Sequence, residues 1–386
     1  MTQSIPLGPE ASAHSARLAD HLRVCIAQGG GWISFEHWMH DALYAPGLGY
    51  YTAGNIKLAS PTGSAPAGDF VTAPQLGALF AKTLASQVAA VLDASQATTV
   101  LEFGAGTGAL AADMLDALDA LGRDDHYHII EVSPDLRQVQ QQRLARFGSR
   151  VSWLSDLPHA FSGCVIGNEV LDAMPVRSFA FDGDGVLMER GVAVDAQGQF
   201  VWATRAADAA LARSLEGRLA PLPGYVSEIN LQAEAWMRSM GQWLTRGAAL
   251  LVDYGFPQSE FYHPQRSGGT LMAHVRHRAH ADVLAAPGVQ DITAHVDFTA
   301  MAQAALDADL DLLGYTAQGR FLMNAGLARH LDAGTDARLK LQMLTEVNTL
   351  TSEAEMGELF KVLAVGRGIA PDVLDGFGTR DRRHTL

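Results

Sequence analysis

The stretch VLEFGAGTGAL, Val100 to Leu110, runs from an apolar segment through one acid into three glycines at alternate positions, then into a helix-forming sequence. Gly104, Gly106 and Ala109 satisfy the spacing G-x-G-x-x-G/A of a strand-to-helix turn that holds a nucleotide-like ligand. Without a Cβ, such a turn bends sharply and lets a ligand come close to the backbone. The helix that follows points the positive end of its dipole at that ligand. A pyrophosphate suits that end, and so does the carboxylate of S-adenosylmethionine (AdoMet). Gly104, Gly106 and Gly108 therefore leave both a dinucleotide and AdoMet open.

The rhythm around the turn narrows the choice. TTVLEF, HYHIIEVS, RVSWL and GCVIGNEV read as strands. Between the first three lie helical stretches at 109–121 and 134–147, the second opened by Ser133-Pro134 in N-cap and N1 order. ALLVDYG, DLLGYTAQG and LFKVLAVGRG supply three more strands, with helical character at 228–245, 297–308 and 335–355. Strands alternating with helices predict an α/β fold: a Rossmann-like, seven-stranded, mostly parallel sheet with helices on both faces. Seven strands, the last arriving after a long excursion, match the plan of class I AdoMet methyltransferases; a dinucleotide dehydrogenase usually has six and a separate substrate domain. Upstream, 11–28 reads as a helix, 55–74 as a long loop and 75–93 as a helix with Leu76, Leu79, Phe80, Leu84, Val88, Val91 and Leu92 on one face. Residues 179–205 break the rhythm with hairpin signals. The pattern divides the chain into an N-terminal segment at 1–74 covering the cofactor, a first methyltransferase part at 75–178, a β-rich insertion at 179–227, and the rest of the methyltransferase domain at 228–386 with an irregular insertion at 257–293.

The bulk properties set limits. The chain has 386 residues, of which 48% are hydrophobic and 18% charged, a globular balance. Its formal net charge of −14 and lack of a Lys/Arg stripe argue against nucleic acid as a partner. Apolar runs such as GAALLVDYGF are too short to span a bilayer, so no membrane insertion is expected. The two cysteines, Cys25 and Cys164, lie far apart in sequence and form no C-x-x-C pair. That spacing is read as excluding a thiolate zinc site and as favouring a reducing compartment. The N-terminus has no apolar core of a secretory signal, and a cytoplasmic location is expected. His274, His277, His280 and His295 have the wrong spacing for one helix face and lie among Arg276 and Arg278; no metal is expected there.

Acids mark the rest of the site. Glu102 sits two residues before Gly104, where a dinucleotide fold usually has an apolar residue. It either faces the ammonium group of AdoMet or caps a local amide. Glu131 ends the second strand, placed to accept both ribose hydroxyls; the alternative is an ordinary acid ahead of a helix. Asp156, after the third strand, can accept the adenine amino group or simply form the turn before Pro158. After the fourth strand, IGNEVLDAMPVRSF holds Asn168, Glu169 and Asp172. A guanidinium does not lose its proton at neutral pH, and two carboxylates can grip its fork while leaving one nitrogen toward a methyl donor. Glu169 and Asp172 suit that catalytic role; Asn168 reads as a cofactor contact, and helix capping explains the same positions equally well. Tyr254, in LVDYG, is the candidate wall of the substrate pocket or a packing residue.

With these residues in place, the chain resembles the MidA family. The likeness rests on ISFEHWMHDALYAPGLGYY, GDFVTAPQLGALFA, LEFGAGTGAL, IIEVSPDLR, NEVLDAMPVRSF, LLVDYGF, DITAHVDFT, QGRFLMNAG and EMGELFKVLAVGRG, in that order. The resemblance implies an AdoMet-dependent methyltransferase with an inserted β and loop region, yielding S-adenosylhomocysteine as product and using no metal. It implies cofactor contacts from Gly68, Asp69, Phe70 and Thr72 besides the glycine turn. Mitochondrial members assist assembly of respiratory complex I and are similar to protein arginine methyltransferases. The implied partner is thus a protein, with a respiratory-complex subunit as a candidate, and Glu169 and Asp172 are implied to face it. An AdoMet-binding assembly factor without catalysis and a small-molecule methyltransferase are the competing functions. Gln75 departs from the acid expected in many relatives, and no mitochondrial targeting segment is read at the N-terminus.

Overall fold

The computed structural model describes residues 7–53, 73–275, 278–331 and 337–386. The chain gathers into two compact units. One comprises Met1–Phe70, Asp172–Ala233 and Gln258–His295; the other comprises Val71–Leu171, Glu234–Pro257 and Val296–Leu386. They are called the accessory unit and the sheet unit. The four consecutive blocks drawn from the sequence are grouped differently here: the described part of the N-terminal segment falls in one unit with the 179–227 insertion and nearly all of the irregular 257–293 segment.

The sheet unit is built on seven strands: β1 (Thr99–Phe103), β2 (His126–Ile130), β3 (Val151–Leu154), β4 (Phe161–Asn168), β5 (Leu244–Phe256), β6 (Asp311–Ala317) and β7 (Phe360–Arg367). Their order across the sheet is β6-β7-β5-β4-β1-β2-β3, and a two-residue strand, Val296–Asp297, adds in parallel to the end of β5. All neighbours from β5 to β3 pair in parallel. β7 is antiparallel to both β5 and β6. This is the seven-stranded, mostly parallel Rossmann-like sheet that the strand rhythm predicts, and its central strands β4, β5 and β7 are almost wholly buried because helices cover both faces. The helices Leu79–Ser95 and Ala109–Ala120 bury Leu84, Val88, Val91, Leu110, Met114 and Leu118 in one core with Val100, Ile129, Ile166, Leu250 and Val362.

The accessory unit has its own core. The helices Pro9–Gln28 and Phe35–Tyr44 bury Leu18, Leu22, Ile26, Phe35, Trp38 and Met39 against Val176, Val192, Ala273 and Ile292. Its main sheet is antiparallel, with Leu187–Val194 pairing Arg177–Phe181 on one side and Phe200–Ala206 on the other. Aspartates close both hairpins. Asp182 accepts the N–H groups of Asp184 and Val186, and Asp195 accepts those of Gln197 and Gln199. These are the Asx turns that the DGDG and DAQG sequences predict. Residues 257–293, expected to be irregular, instead contain a three-stranded antiparallel sheet of Met272–Val275, Arg278–His280 and Asp291–Thr293. The strands are three or four residues long, too short for an alternation to show in the sequence.

A buried carboxylate ties the main accessory sheet together. Glu189 Oε1 accepts from Arg177 Nη2 at 2.7 Å and Oε2 from Arg205 Nη2 at 2.9 Å. Arg177 also meets Asp208 at 3.0 Å, and the guanidinium of Arg205 lies 3.7 Å from the Trp32 ring centre. Removing one partner of a buried pair strands the other charge, so Glu189→Ala is expected to lower stability by about 3 kcal/mol. Urea unfolding measures this; a loss below about 1 kcal/mol would show that the pair is replaceable by solvent.

Candidate active site

Strand order reverses between β1 and β4. From β1 the chain builds outward through β2 and β3, then returns to lay β4 on the other side of β1. Ligands of open α/β sheets bind beyond the carboxyl ends of the strands at such a reversal. Phe103 of β1 stands in register with Gly167 of β4, so Gly104 and Asn168 leave the sheet side by side.

Gly104, Gly106 and Gly108 take φ of 61°, 53° and 75°, a region in which an L side chain is strained. A Cβ on Gly104 would lie 3.3 Å from Val170 Cγ2, so the loop after β4 rests against the glycine turn. At Gly106 a Cβ would have no atom of the described residues within 4 Å. Gly108 caps the helix Ala109–Ala120.

The carboxylate of Glu131 is held in place from two sides. Oε1 accepts the N–H of Ser133 at 2.9 Å and Oε2 accepts Gln140 Nε2 at 2.8 Å. Burial pushes its pKa up, opposed by the hydrogen bonds from Ser133, Gln140 and Val132. These three donors leave the carboxylate room for a further one. Ser133 caps the helix Pro134–Leu144 through its hydroxyl, as the Ser-Pro order predicts. Gln140, fully buried on that helix, also donates to the carbonyl of Gly106 at 2.8 Å and accepts from the Trp153 indole at 2.8 Å. One amide thus ties the glycine turn, the acid after β2 and the strand β3 together. Sequence reading missed Gln140: in PDLRQVQQQRL it is one of four glutamines on a polar helix, and periodicity does not single it out.

Glu102 is buried beneath the turn, and its Oε2 accepts the Tyr127 hydroxyl at 2.9 Å. Burial pushes its pKa up to about 8; the Tyr127 hydrogen bond opposes this, and the charge of Glu131 adds to it. At neutral pH the carboxyl is therefore largely protonated, joined to a strand residue two positions along the neighbouring strand.

The loop after β4 contains the strained acid. Glu169 has φ 53°, rare for a residue with a side chain, and its N–H donates to the Val252 carbonyl at 2.9 Å. Asn168 Nδ2 donates to Glu169 Oε1 at 3.1 Å, while Asn168 Oδ1 is buried with no partner among the described residues. Asp253 pins the loop: its two oxygens accept the N–H groups of Leu171 and Tyr254, each at 2.9 Å. Each of its two carboxylate oxygens thus meets a backbone amide of the sheet unit.

The remaining candidates sit as follows. Asp172 falls in the accessory unit, 4% exposed, its carbonyl accepting the N–H of Ala294. Burial pushes the Tyr51 hydroxyl pKa up, and the charges of Asp291 and Asp172 add to it. Tyr51 donates to Asp291 at 3.0 Å. Asp156 is exposed on a bend past β3. Tyr254 is 8% exposed and packs edge-on against Phe360 with ring centres 5.3 Å apart, so its ring belongs to the core of the sheet unit. Gly68, Asp69, Phe70 and Thr72 lie outside the described residues, as does His277. His274, His280 and His295 join no cluster of metal-ligating groups among the described residues.

Comparison with known proteins follows the same lines. The sequence model of a protein family described as "Putative S-adenosyl-L-methionine-dependent methyltransferase" matches residues 81–316. The chain is 28% identical over 398 residues to the rat (Rattus norvegicus) protein arginine methyltransferase NDUFAF7, mitochondrial, covering 92% of this chain and 86% of the relative. With the human (Homo sapiens) protein of the same name it is 28% identical over 388 residues, covering 89% and 82%. A crystal structure of a Burkholderia thailandensis protein bound to S-adenosyl-homocysteine is 50% identical and superposes with a TM-score of 0.91, covering 99% of this chain and 100% of that one.

The raised pKa of Glu102 has a sign that can be checked. The folded state holds this proton up to about pH 8, whereas the unfolded chain releases it near the ordinary glutamate value of about 4.3. The stability from this group is thus complete below that value and is lost as pH rises toward 8. Glu102→Gln, which never ionises, should gain stability relative to the wild-type chain between pH 5 and pH 8 in urea titrations. A constant difference across that window would show that the carboxyl is charged throughout.

Proposed function

The chain belongs to this family of S-adenosyl-L-methionine-dependent methyltransferases, and from that premise we propose that it methylates an arginine side chain of a partner protein. The observation that carries the proposal is the backbone of Glu169, held in the left-handed region at the reversal of the sheet. Strain of this kind persists only where the surroundings over-determine it, and it clusters at active sites. Here the Val252 carbonyl and the Asp253 carboxylate fix the loop on either side. The arginine methyltransferase relatives support the choice of nucleophile.

The described residues fit AdoMet. Among the described residues nothing crowds the backbone at Gly106, the oriented carboxylate of Glu131 suits the ribose hydroxyls, and Asn168 Oδ1 is a buried acceptor with no donor among them. When bound, AdoMet supplies an electrophilic methyl group. The work of the chain's own residues is then to bind, orient and exclude water. Glu169 grips the guanidinium through charge-assisted hydrogen bonds, fixes which nitrogen faces the methyl group, and takes up the proton that this nitrogen sheds. Asp172 is the sequence candidate for the second carboxylate. The MidA resemblance puts a respiratory-complex subunit first among partners, and we place the reaction in the cytoplasm, a reducing setting that suits the free thiols Cys25 and Cys164. Among the described residues no helix is long and apolar enough to cross a membrane.

Two variants test the role of Glu169. Glu169→Gln should lower kcat by at least about 100-fold, the scale of losing a positioned acid–base group, while calorimetry finds AdoMet affinity within about threefold. Glu169→Gly, which relieves the positive φ at about 1 kcal/mol, should be equally inactive yet no less stable. Radiolabelled AdoMet incubated with whole-cell protein, followed by amino-acid analysis, should place the label on methylarginine. Label confined to small molecules, or a fully active Glu169→Gln enzyme, would overturn the proposal.

A further inference from the structure

Two helices of the accessory unit converge a set of donor atoms that plays no part in methyl transfer. His21 and Cys25 stand four residues apart on the helix Pro9–Gln28, and His37 and Asp41 stand four apart on the helix Phe35–Tyr44. Residues at that spacing share one face, one turn above the other. The two faces meet at a single oxygen. Asp41 Oδ2 lies 2.9 Å from His21 Nε2, 3.8 Å from Cys25 Sγ and 3.5 Å from His37 Nε2, and Cys25 Sγ lies 3.6 Å from His21 Nε2. The ligating atoms of His21, Cys25 and Asp41 all fall within 4.8 Å of one another.

We propose that His21, Cys25 and Asp41 form a binding site for a divalent cation of the zinc class, with the fourth position taken by His37 or water. Zinc bound by sulfur at about 2.3 Å and by nitrogen or oxygen at about 2.0–2.2 Å sets tetrahedral edges of roughly 3.4–3.6 Å between ligand atoms. The edges from sulfur match within about 0.2 Å on that geometry. The His21–Asp41 edge is shorter because a hydrogen bond spans it; a shared cation opens it by about 0.5 Å to reach the same edge. His40 Nδ1 meets the other carboxylate oxygen at 3.0 Å, the partner that holds a ligating carboxylate in one orientation. Hydrogen bonding to a buried carboxylate accounts for His21 and His40, but the carboxylate has no need of a third nitrogen, His37, and a thiol as well. The donor set is mixed nitrogen, sulfur and oxygen, which favours zinc over calcium or magnesium. On binding, the Cys25 thiol releases its proton to solvent and its sulfur joins the metal. Thiolate and carboxylate together balance the charge of the cation, which clamps the two N-terminal helices. The absence of a C-x-x-C pair, read as excluding thiolate zinc, excludes only sites built on paired cysteines.

The test uses the tag-free full chain after chelator treatment, with Co2+ as the probe. Titration should give one equivalent of micromolar or tighter uptake, with visible bands of tetrahedral intensity and a near-ultraviolet sulfur-to-metal band, all bleached by one equivalent of Zn2+. Cys25→Ser should lose the near-ultraviolet band and bind at least tenfold more weakly; Cys164→Ala should keep the band. His21→Gln, at a side chain 41% exposed, should also weaken binding at least tenfold, with circular dichroism confirming that each variant is folded. Absence of stoichiometric uptake, or a band that survives Cys25→Ser, would overturn the proposal. Methyl transfer is not needed for any of these readouts, so the outcome stands apart from that of the proposed activity.

Discussion

Four residues at the open end of the parallel sheet hold their backbone in the left-handed region, and the candidate site is organised around keeping them there. Gly104, Gly106 and Gly108 do so without a steric penalty. Glu169 does so at a cost of about 1 kcal/mol or more. The restraints are specific. Gln140 holds the carbonyl of Gly106, Val170 rests on Gly104, and the Val252 carbonyl and Asp253 carboxylate fix the chain around Glu169. These contacts lie on the sheet's line of strand reversal, where the helix dipole already favours a ligand. The fold thus supplies the place, and a few side chains supply its shape.

Much of this was legible before the structure. The central strands declared themselves because they are runs of apolar residues buried on both faces, such as ALLVDYG; the outer HYHII and VSWL were readable from their place next to helical stretches. The glycine spacing, Glu131 at the tip of β2 and the Ser133 cap are local signals, readable because their causes lie within a few residues. What stayed hidden was long-range. The roles of Gln140 and Asp253 depend on partners 34, 9 and 13 residues away in the first case and 82 in the second. No local pattern encodes those. The left-handed φ of Glu169 was equally silent, since glutamate is not a residue that turn chemistry selects for it.

The accessory unit shows the same limit on a larger scale. Its core joins Leu18, Trp38, Val192 and Ile292 from three separate stretches of chain, so a reading that proceeds in sequence order divides it. Its hairpins could be read because aspartate turns are local; its three-stranded sheet could not, because its strands are too short to carry an alternation. Polar clusters in this unit, around Glu189 and around Asp41, come from helix and strand faces brought together only on folding.

The position of β7 bears on how the polypeptide is made. This strand is inserted between β5 and β6, pairing Leu250 with Ala364 on one side and Leu312 with Val365 on the other. Until residue 360 has left the ribosome, the nascent sheet ends at β5, whose apolar row Ala248–Val252 has its outer amides and carbonyls unmatched, and β6 has no strand to join. Such an edge recruits stray strands, so emerging chains need shielding from one another between the synthesis of β5 and that of β7. Loss of the final segment would remove a keystone rather than trim a rim.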